Sequence, residues 1–274
     1  MPALLERPTP VREEGQPRLF SAIHETPERA ARPAPARLRP PLVRRSEPVA
    51  RATRLFSLEQ RRHLRGVHRR RASPVGRMTY VAGVASPNPH AGISRWAHEP
   101  SIVTVTIGEM DLGASRPALR IVQHLRWAAE QGDRMDAEIH RTLLGLWRCR
   151  RVVVGAPENG PTPAHPPAMP NPPPGVVVTP MGRAARSRMG IGLLETIAAR
   201  RVKAYVDDGS PESREFWAQI VKAQSRVSRD GTLDFDVDAS PGGDGLLLSL
   251  ALAVEAAHEL FQPTQGRLHE SIPA

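Results

Sequence analysis

YVAGVA at residues 80–85 is a short apolar run that ends on a small side chain, and two other runs share this character. They are VVVGA at 152–156 and GGDGLLLSLALA at 242–253. The first two are rich in valine, so they predict β-strands, and the second reads as a strand buried on both faces. The third continues as a Leu- and Ala-rich segment too apolar for a surface helix. We therefore expect a long final helix packed flat against a sheet.

Three strand-like segments follow one another from Met78 and predict an antiparallel meander. They are MTYVAGVA at 78–85, IVTVTIGEM at 102–110 and ALRIVQHLRW at 118–127. Apolar residues spaced by three and four at 133–148 then predict a helix, which leads into the VVVGA strand.

In the second half of the chain, segments with the apolar pattern of strands alternate with segments that have the apolar spacing of helices. The predicted elements are a strand VVVTP, a helix at about 187–200, a strand RVKAYV, a helix opened by Ser210 and Pro211, a strand TLDFDV and the final helix. Three strands, a helix, a strand beside the first and then covering helices are the order of the ribonuclease H-like fold. The predicted fold class is therefore α/β, a ribonuclease H-like mixed sheet flanked by helices.

Proline marks the boundaries of the domain. The 274 residues include 29 prolines, which concentrate at residues 2–48 and 157–180. Proline removes a backbone donor and fixes φ, so these stretches predict irregular structure. The predicted division is a disordered basic Pro-rich arm at 1–53, a basic lead-in at 54–77, one domain at 78–262 with a Pro-rich loop at 157–175, and a tail at 263–274.

The formal net charge of +10 comes from the front of the chain, because residues 1–76 hold about 17 arginines against about 7 acids. Such a segment is attracted to nucleic acid without regard to its sequence. Within it, Arg69, Arg70 and Arg71 are candidate phosphate-binding residues, and a solvated positive segment is the alternative.

Several classes of protein are excluded by the residue pattern. Cys149 is the single cysteine, so neither an intramolecular disulfide nor a multi-cysteine zinc site can form. There is no glycine-rich nucleotide-phosphate motif. No apolar run reaches the roughly 18 residues of a membrane span, so we expect a soluble, cytoplasmic protein with no membrane partner.

A succession of motifs over roughly residues 54–260 resembles the nuclease domain of the large terminase subunit of tailed phages and prophages. The matching stretches are RLFSLEQRRHLRGVHRRRASPVGRMTYVAGV, VTVTIGEMD, ALRIVQHLRW, LWRCRRVVVGA, RSRMGIGLLETIAARRVKAYVDDGSPESREFW and GGDGLLLSLALAVEAA. The resemblance implies a metal-dependent endonuclease that uses Mg²⁺ or Mn²⁺ to cleave concatemeric DNA during genome packaging.

The acidic residues of that family fall on positions that have mostly lost them here. The first falls on Ala85, the second on Gly155, and the final pair on Asp244 and Gly245. Two divalent cations about 4 Å apart need several acidic oxygens between them. With Asp244 as the remnant metal ligand, the resemblance implies a nuclease that is inactive or severely impaired. An acid that stabilises a helix N-terminus is the alternative role of Asp244.

Other residues are candidates for parts of the same site. Glu109 is the preferred reserve metal ligand, and Arg186 with Ser187 corresponds to a family Lys-Ser pair that would meet DNA phosphate. The weaker reserve acids are Asp111, Glu158, Asp234, Asp236 and Asp238. The last three alternate with apolar residues, which is typical of the solvated face of a half-buried strand.

Three functions remain open from the sequence. The first is a terminase-like nuclease domain with impaired catalysis. The second is a non-catalytic DNA-binding or packaging-associated protein, for which the resemblance implies double-stranded DNA as a partner and a terminase ATPase or small subunit in trans. The third is a decayed prophage remnant.

Overall fold

The computed structural model describes residues 52–86, 102–128, 132–156, 158, 171–237 and 243–261. All of them belong to one unit, Pro48–Ala274. Residues 1–51 of the predicted arm, most of the 157–175 loop and the 263–274 tail lie outside the described residues.

A six-stranded mixed sheet forms the centre of this unit. Its strands are β2 (Thr79–Ala85), β3 (Ile102–Met110), β4 (Leu119–Ala128), β5 (Arg151–Ala156), β6 (Val176–Pro180) and β7 (Val202–Ala204). They lie in the order β6-β5-β2-β3-β4-β7. Strands β2, β3 and β4 pair in antiparallel fashion, which confirms the predicted meander. Strand β5 lies beside β2, as predicted, and pairs parallel to it.

Helices cover both faces of this sheet. They are α1 (Leu58–Leu64), α2 (Gly132–Glu138), a π-helix (Ile139–Leu146) that continues α2, α3 (Arg183–Ala198), α4 (Pro211–Lys222) and α5 (Gly245–Phe261). A second, three-stranded sheet has the order β1-β8-β9, formed by β1 (Thr53–Arg54), β8 (Ala223–Val227) and β9 (Leu233–Val237). None of the helices in the described ranges is long and apolar enough to cross a membrane.

The final helix α5 lies on the sheet at backbone distance, as its apolar composition predicts. A Cβ atom built on Gly83 would overlap the carbonyl oxygen of Ser249 and the amide nitrogen of Ala253. Since β2 has no side chain at this point, the helix backbone packs directly on the strand. Twelve residues of α5 are buried, and its leucines form much of the larger core.

A smaller core fills the opposite face of the sheet. Trp147 packs edge-on against Tyr80 with ring centroids 5.4 Å apart, and Ile139 and Leu143 of the π-helix are fully buried beside them. The helix predicted at 133–148 is therefore present, but more than half of its length has the wider π geometry.

The segment predicted as a basic lead-in is part of the folded unit. Helix α1 begins with a capping box in which Ser57 accepts from the Gln60 amide and the Gln60 side chain accepts from the Ser57 amide. Leu55 and Leu64 are buried, whereas Leu58 is 57% exposed. The short strand β1 and the strand β8 were not predicted.

Candidate functional site

Ala85 and Gly155 lie side by side at one edge of the sheet. They are register partners at the ends of the parallel strands β2 and β5. In-register neighbours point to the same face, so both positions face the layer that contains α5. Two residues 70 positions apart in the chain are therefore brought together where the family resemblance aligns two acids.

The third position of the family pattern meets the same edge. Thr104 on β3 is the register partner of Ala85. A Cβ atom built on Gly245, the first residue of α5, would lie 2.7 Å from the Thr104 hydroxyl oxygen. Gly155, Ala85, Thr104 and Gly245 thus form a continuous set at the sheet edge, which we call the edge site.

Small and apolar groups fill the edge site. A Cβ atom on Gly155 would lie 3.0 Å from Met181 Cγ and 3.2 Å from Leu252 Cδ1. Ala85 is 4% exposed and belongs to the larger core. The Thr104 hydroxyl is buried and has no hydrogen-bond partner among the described residues.

Asp244 is bound by an arginine. Its Oδ2 accepts from Arg186 Nη2 at 3.1 Å, and the same nitrogen donates to the carbonyl oxygen of Phe235 at 2.9 Å. The Arg186 guanidinium also lies over the Phe235 ring, 5.4 Å from its centroid. Both charged side chains are largely buried, at 23% and 17% exposed. Asp244 is thus paired with an internal cation. In the first turn of α5, the Leu247 amide donates to the Gln219 side chain of α4.

These residues do not fit a two-metal centre. Ala85, Gly155 and Gly245 offer no side-chain oxygen, and Thr104 offers a neutral hydroxyl. Among the described residues, no group of three or more His, Cys, Asp or Glu side chains could hold a metal ion.

Glu109 does not converge with Asp244. It pairs with Tyr80 at the other end of β2, five register positions from the Ala85–Thr104 pair. Its side chain is fully buried and is bound by Arg71, with Nε to Oε2 at 3.1 Å, and by Arg120. The expectation of Glu109 as a reserve ligand is therefore corrected, because the two arginines take both of its oxygens.

The predicted arginine cluster of the lead-in is divided by the fold. Arg70 donates to Glu212 at 3.2 Å and to the carbonyl oxygen of His124 at 3.1 Å, and Arg71 is held by Glu109. Arg69 is exposed. Two of the three candidates for phosphate binding are thus engaged inside the protein.

Ser187 is also engaged inside the protein. It is 8% exposed, and its hydroxyl accepts from the Leu233 amide at 3.0 Å, which joins α3 to β9. This contact uses the hydroxyl as an acceptor and leaves its hydrogen free to donate, so the contact of Ser187 with DNA phosphate stays a prediction.

The weaker reserve acids that the structure describes are exposed or paired with an arginine. Asp111, Glu158 and Asp234 are exposed, and Asp236 is paired with Arg226 at 3.4 Å. Asp238 lies outside the described residues. The alternating burial of β9 agrees with the predicted solvated face.

Comparison with solved structures identifies the fold. The large terminase nuclease from thermophilic phage G20c superposes with a TM-score of 0.53 and 13% identity, covering 74% of this chain and 97% of that one. Its magnesium-bound and cobalt-bound structures each give a TM-score of 0.51 at 13% identity, covering 73% of this chain and 96% of theirs. No protein-family model and no curated protein sequence matches the chain.

The chain therefore has the fold of a large terminase nuclease domain, and the predicted ribonuclease H-like α/β class is confirmed. Those two neighbours were solved with divalent cations bound.

Thr104 of the edge site, and Met181 beside it, were not predicted from the sequence. Thr104 is the third residue of β3, and Met181 follows a short strand without any distinctive motif. Neither residue type is a typical metal ligand, so only the strand register reveals that they line the site.

Proposed function

We propose that this protein is a terminase-type nuclease domain in which the two-metal centre has been lost, and that it binds DNA without cleaving it efficiently. The observation that carries the proposal is the composition of the edge site. Three positions aligned with family acids converge there, and none of Ala85, Gly155 and Gly245 supplies an acidic oxygen.

The remaining acid gives a second physical argument. A metal ion would have to compete with Arg186 for the Asp244 carboxylate, and removing the carboxylate would leave a largely buried guanidinium without its partner. An internal cation thus satisfies the charge that a divalent ion would otherwise satisfy. Mg²⁺ or Mn²⁺, which the resemblance implies, would at most be held weakly and together with DNA phosphate.

Cleavage is tested with supercoiled plasmid and Mn²⁺. We expect no nicking above the background measured with Asp244→Ala. Robust nicking by the unaltered protein that Asp244→Ala abolishes would overturn the proposal.

A restoration experiment tests the alignment of the edge site. In Ala85→Asp with Gly155→Asp, two carboxylates would face the α5 layer beside each other, and the groups that surround position 155 are side-chain ends able to move. We expect metal-dependent nicking to reappear. The matched control, Ala85→Asn with Gly155→Asn, has nearly the same shape without the charge and should stay inactive; equal behaviour of the two variants would reject the alignment.

The second candidate function is a packaging-associated DNA-binding protein that has no catalytic task. The net charge of +10, most of it in residues 1–76, favours this candidate. Its partners would be double-stranded DNA and a terminase ATPase or small subunit in trans. A decayed prophage remnant would instead give no folded protein when the gene is expressed.

A further inference from the structure

The end of the sheet opposite the edge site carries a row of cations. Arg120 on β4 and Lys203 on β7 are register partners, so their side chains lie next to each other on one face. Arg120 in turn neighbours Glu109 on β3, and Glu109 binds Arg71. This end lies five residues along β3 from Thr104, which is about 17 Å.

A fourth cation joins this row through helix α1. Lys203 Nζ donates to the carbonyl oxygen of His63 at 2.5 Å, and Arg200 Nε donates to His63 Nε2 at 3.2 Å. Both cations therefore converge on one residue at the C-terminal end of α1. We call Arg120, Arg200 and Lys203 the cationic patch, beside which Arg71 is held by the buried Glu109.

The acids near the cationic patch do not balance its charge. Glu109 is fully buried and shared between two arginines, so this trio keeps a net positive charge. Glu59, one turn before His63 on α1, has a side chain that is 77% exposed. Burial, and secondarily the neighbouring Arg200 charge, lowers the pKa of Lys203.

We propose that the cationic patch binds the phosphate backbone of double-stranded DNA, as a contact surface separate from the edge site. Arg200 is exposed and the Arg120 side chain is 38% exposed, so both side chains are accessible from solvent. Phosphate would relieve the repulsion between the neighbouring cations, and a backbone contact of this kind carries no sequence preference. The proposal rests on the DNA partner of the proposed function, but not on the loss of cleavage.

The test is DNA binding by the full chain, measured by fluorescence anisotropy with a labelled duplex over a range of NaCl concentrations. The variant is Arg200→Asn with Lys203→Gln. Asn tolerates the positive φ of 59° at position 200, and Gln keeps a donor for the His63 carbonyl. Arg71 and Arg120 are left intact because they hold the buried Glu109. The salt slope is the slope of log K for binding against log [NaCl]. Each lost phosphate contact reduces its magnitude by about 0.9, so we expect a reduction of about 2 for this variant.

The matched control is Arg214→Gln with Arg229→Asn, which removes two exposed arginines elsewhere on the unit. It makes the same change in net charge. We expect its salt slope to differ from that of the parent protein by less than about half of the 0.9 expected for one lost phosphate contact. If the patch variant fails to fold, Arg200→Asn alone replaces it with an expected decrease of about 1.

Equal salt slopes for the patch and control variants would overturn the proposal. Failure of the parent to bind duplex DNA would overturn it together with the DNA-binding part of the proposed function. Efficient plasmid nicking would overturn only the loss of cleavage and would leave the cationic patch untouched.

Discussion

His124 stands at the end of a buried polar chain. Its Nδ1 lies 3.1 Å from Thr106 Oγ1, which lies 2.7 Å from Ser249 Oγ, and Ser249 donates to the carbonyl oxygen of Leu246. Because the Ser249 proton points to that carbonyl, the Thr106 hydroxyl donates to Ser249 and accepts from His124. The neutral ring therefore carries its proton on Nδ1, and Nε2 is buried without a partner among the described residues.

This arrangement predicts that the protein loses stability in mild acid. Burial, and secondarily the Arg70 charge, lowers the pKa of His124 to about 3. Its folded-state pKa lies below the unfolded value of 6.5, so its contribution is present above pH 6.5 and is lost as the pH falls toward 3. The free energy of unfolding should therefore fall by about 1 kcal/mol per pH unit between pH 6 and pH 5.

Urea unfolding at several pH values checks this slope against His124→Gln. The amide of Gln can still donate to Thr106, but it does not titrate. His68, whose pKa burial also lowers, contributes in the same direction and remains in both proteins. Equal pH slopes for the two proteins would contradict the role given to His124.

At the scale of residues, the resemblance aligned Ala85 and Gly155 with two family acids, and the parallel register of β2 and β5 brings the two residues side by side. The partners of Glu109 and Ser187 could not be predicted, since they depend on which residue lies opposite on another strand or helix. The sequence alone does not show whether a polar side chain is free to bind a ligand or is already paired inside the protein.

At the scale of elements, the close contact between α5 and β2 requires a residue without a side chain at position 83. Gly83→Ala would place a methyl group against two backbone atoms of α5, and backbone cannot rotate aside as a side chain can. The helix would have to lift from the strand, and we expect a loss of about 3 kcal/mol in the free energy of unfolding.

Thermal and urea unfolding measure this loss against Gly76→Ala. A Cβ atom on Gly76 would meet nothing within 4 Å, so its replacement should change stability by less than about 1 kcal/mol. Comparable effects of the two substitutions would mean that α5 does not lie at backbone distance from β2.

The elements that sequence reasoning found and missed differ in length and in periodicity. Strands β2 to β5 and helices α4 and α5 each carry a continuous apolar run, a clear apolar period or a cap, such as Ser210 accepting from the Ser213 amide. Strand β1 has two residues and β8 follows α4 without a break, so neither has a period of its own. Their pairing, and not their composition, makes them strands.

At the scale of the whole molecule, the folded unit begins earlier than the domain boundary predicted at residue 78. Leu55, Phe56 and Leu64 are each no more than 5% exposed and belong to the larger core. Burial of such side chains contributes roughly 1.5–3 kcal/mol each, which together approaches the total stability of a typical domain.

Truncated chains test whether the folded unit begins near residue 52 or at the predicted boundary, residue 78. Removal of residues 1–51 should leave a chain that unfolds cooperatively, with a melting temperature close to that of the full protein. Removal of residues 1–76 should give no cooperative transition, because Glu109 also loses Arg71. Circular dichroism melting of both chains checks the expectation, and a cooperatively folded 77–274 chain would contradict it.

Strand β1 also determines how the unit would respond to mechanical load. It is joined to β8 by only two residue pairs, Thr53 with Ser225 and Arg54 with Gln224. Tension applied through residue 52 would act on these pairs one after the other, as in unzipping, before it reached the six-stranded sheet. Strand β1 would thus detach from β8 at low force, while the pairing of β8 with β9 and the layer formed by β2 and α5 stayed intact.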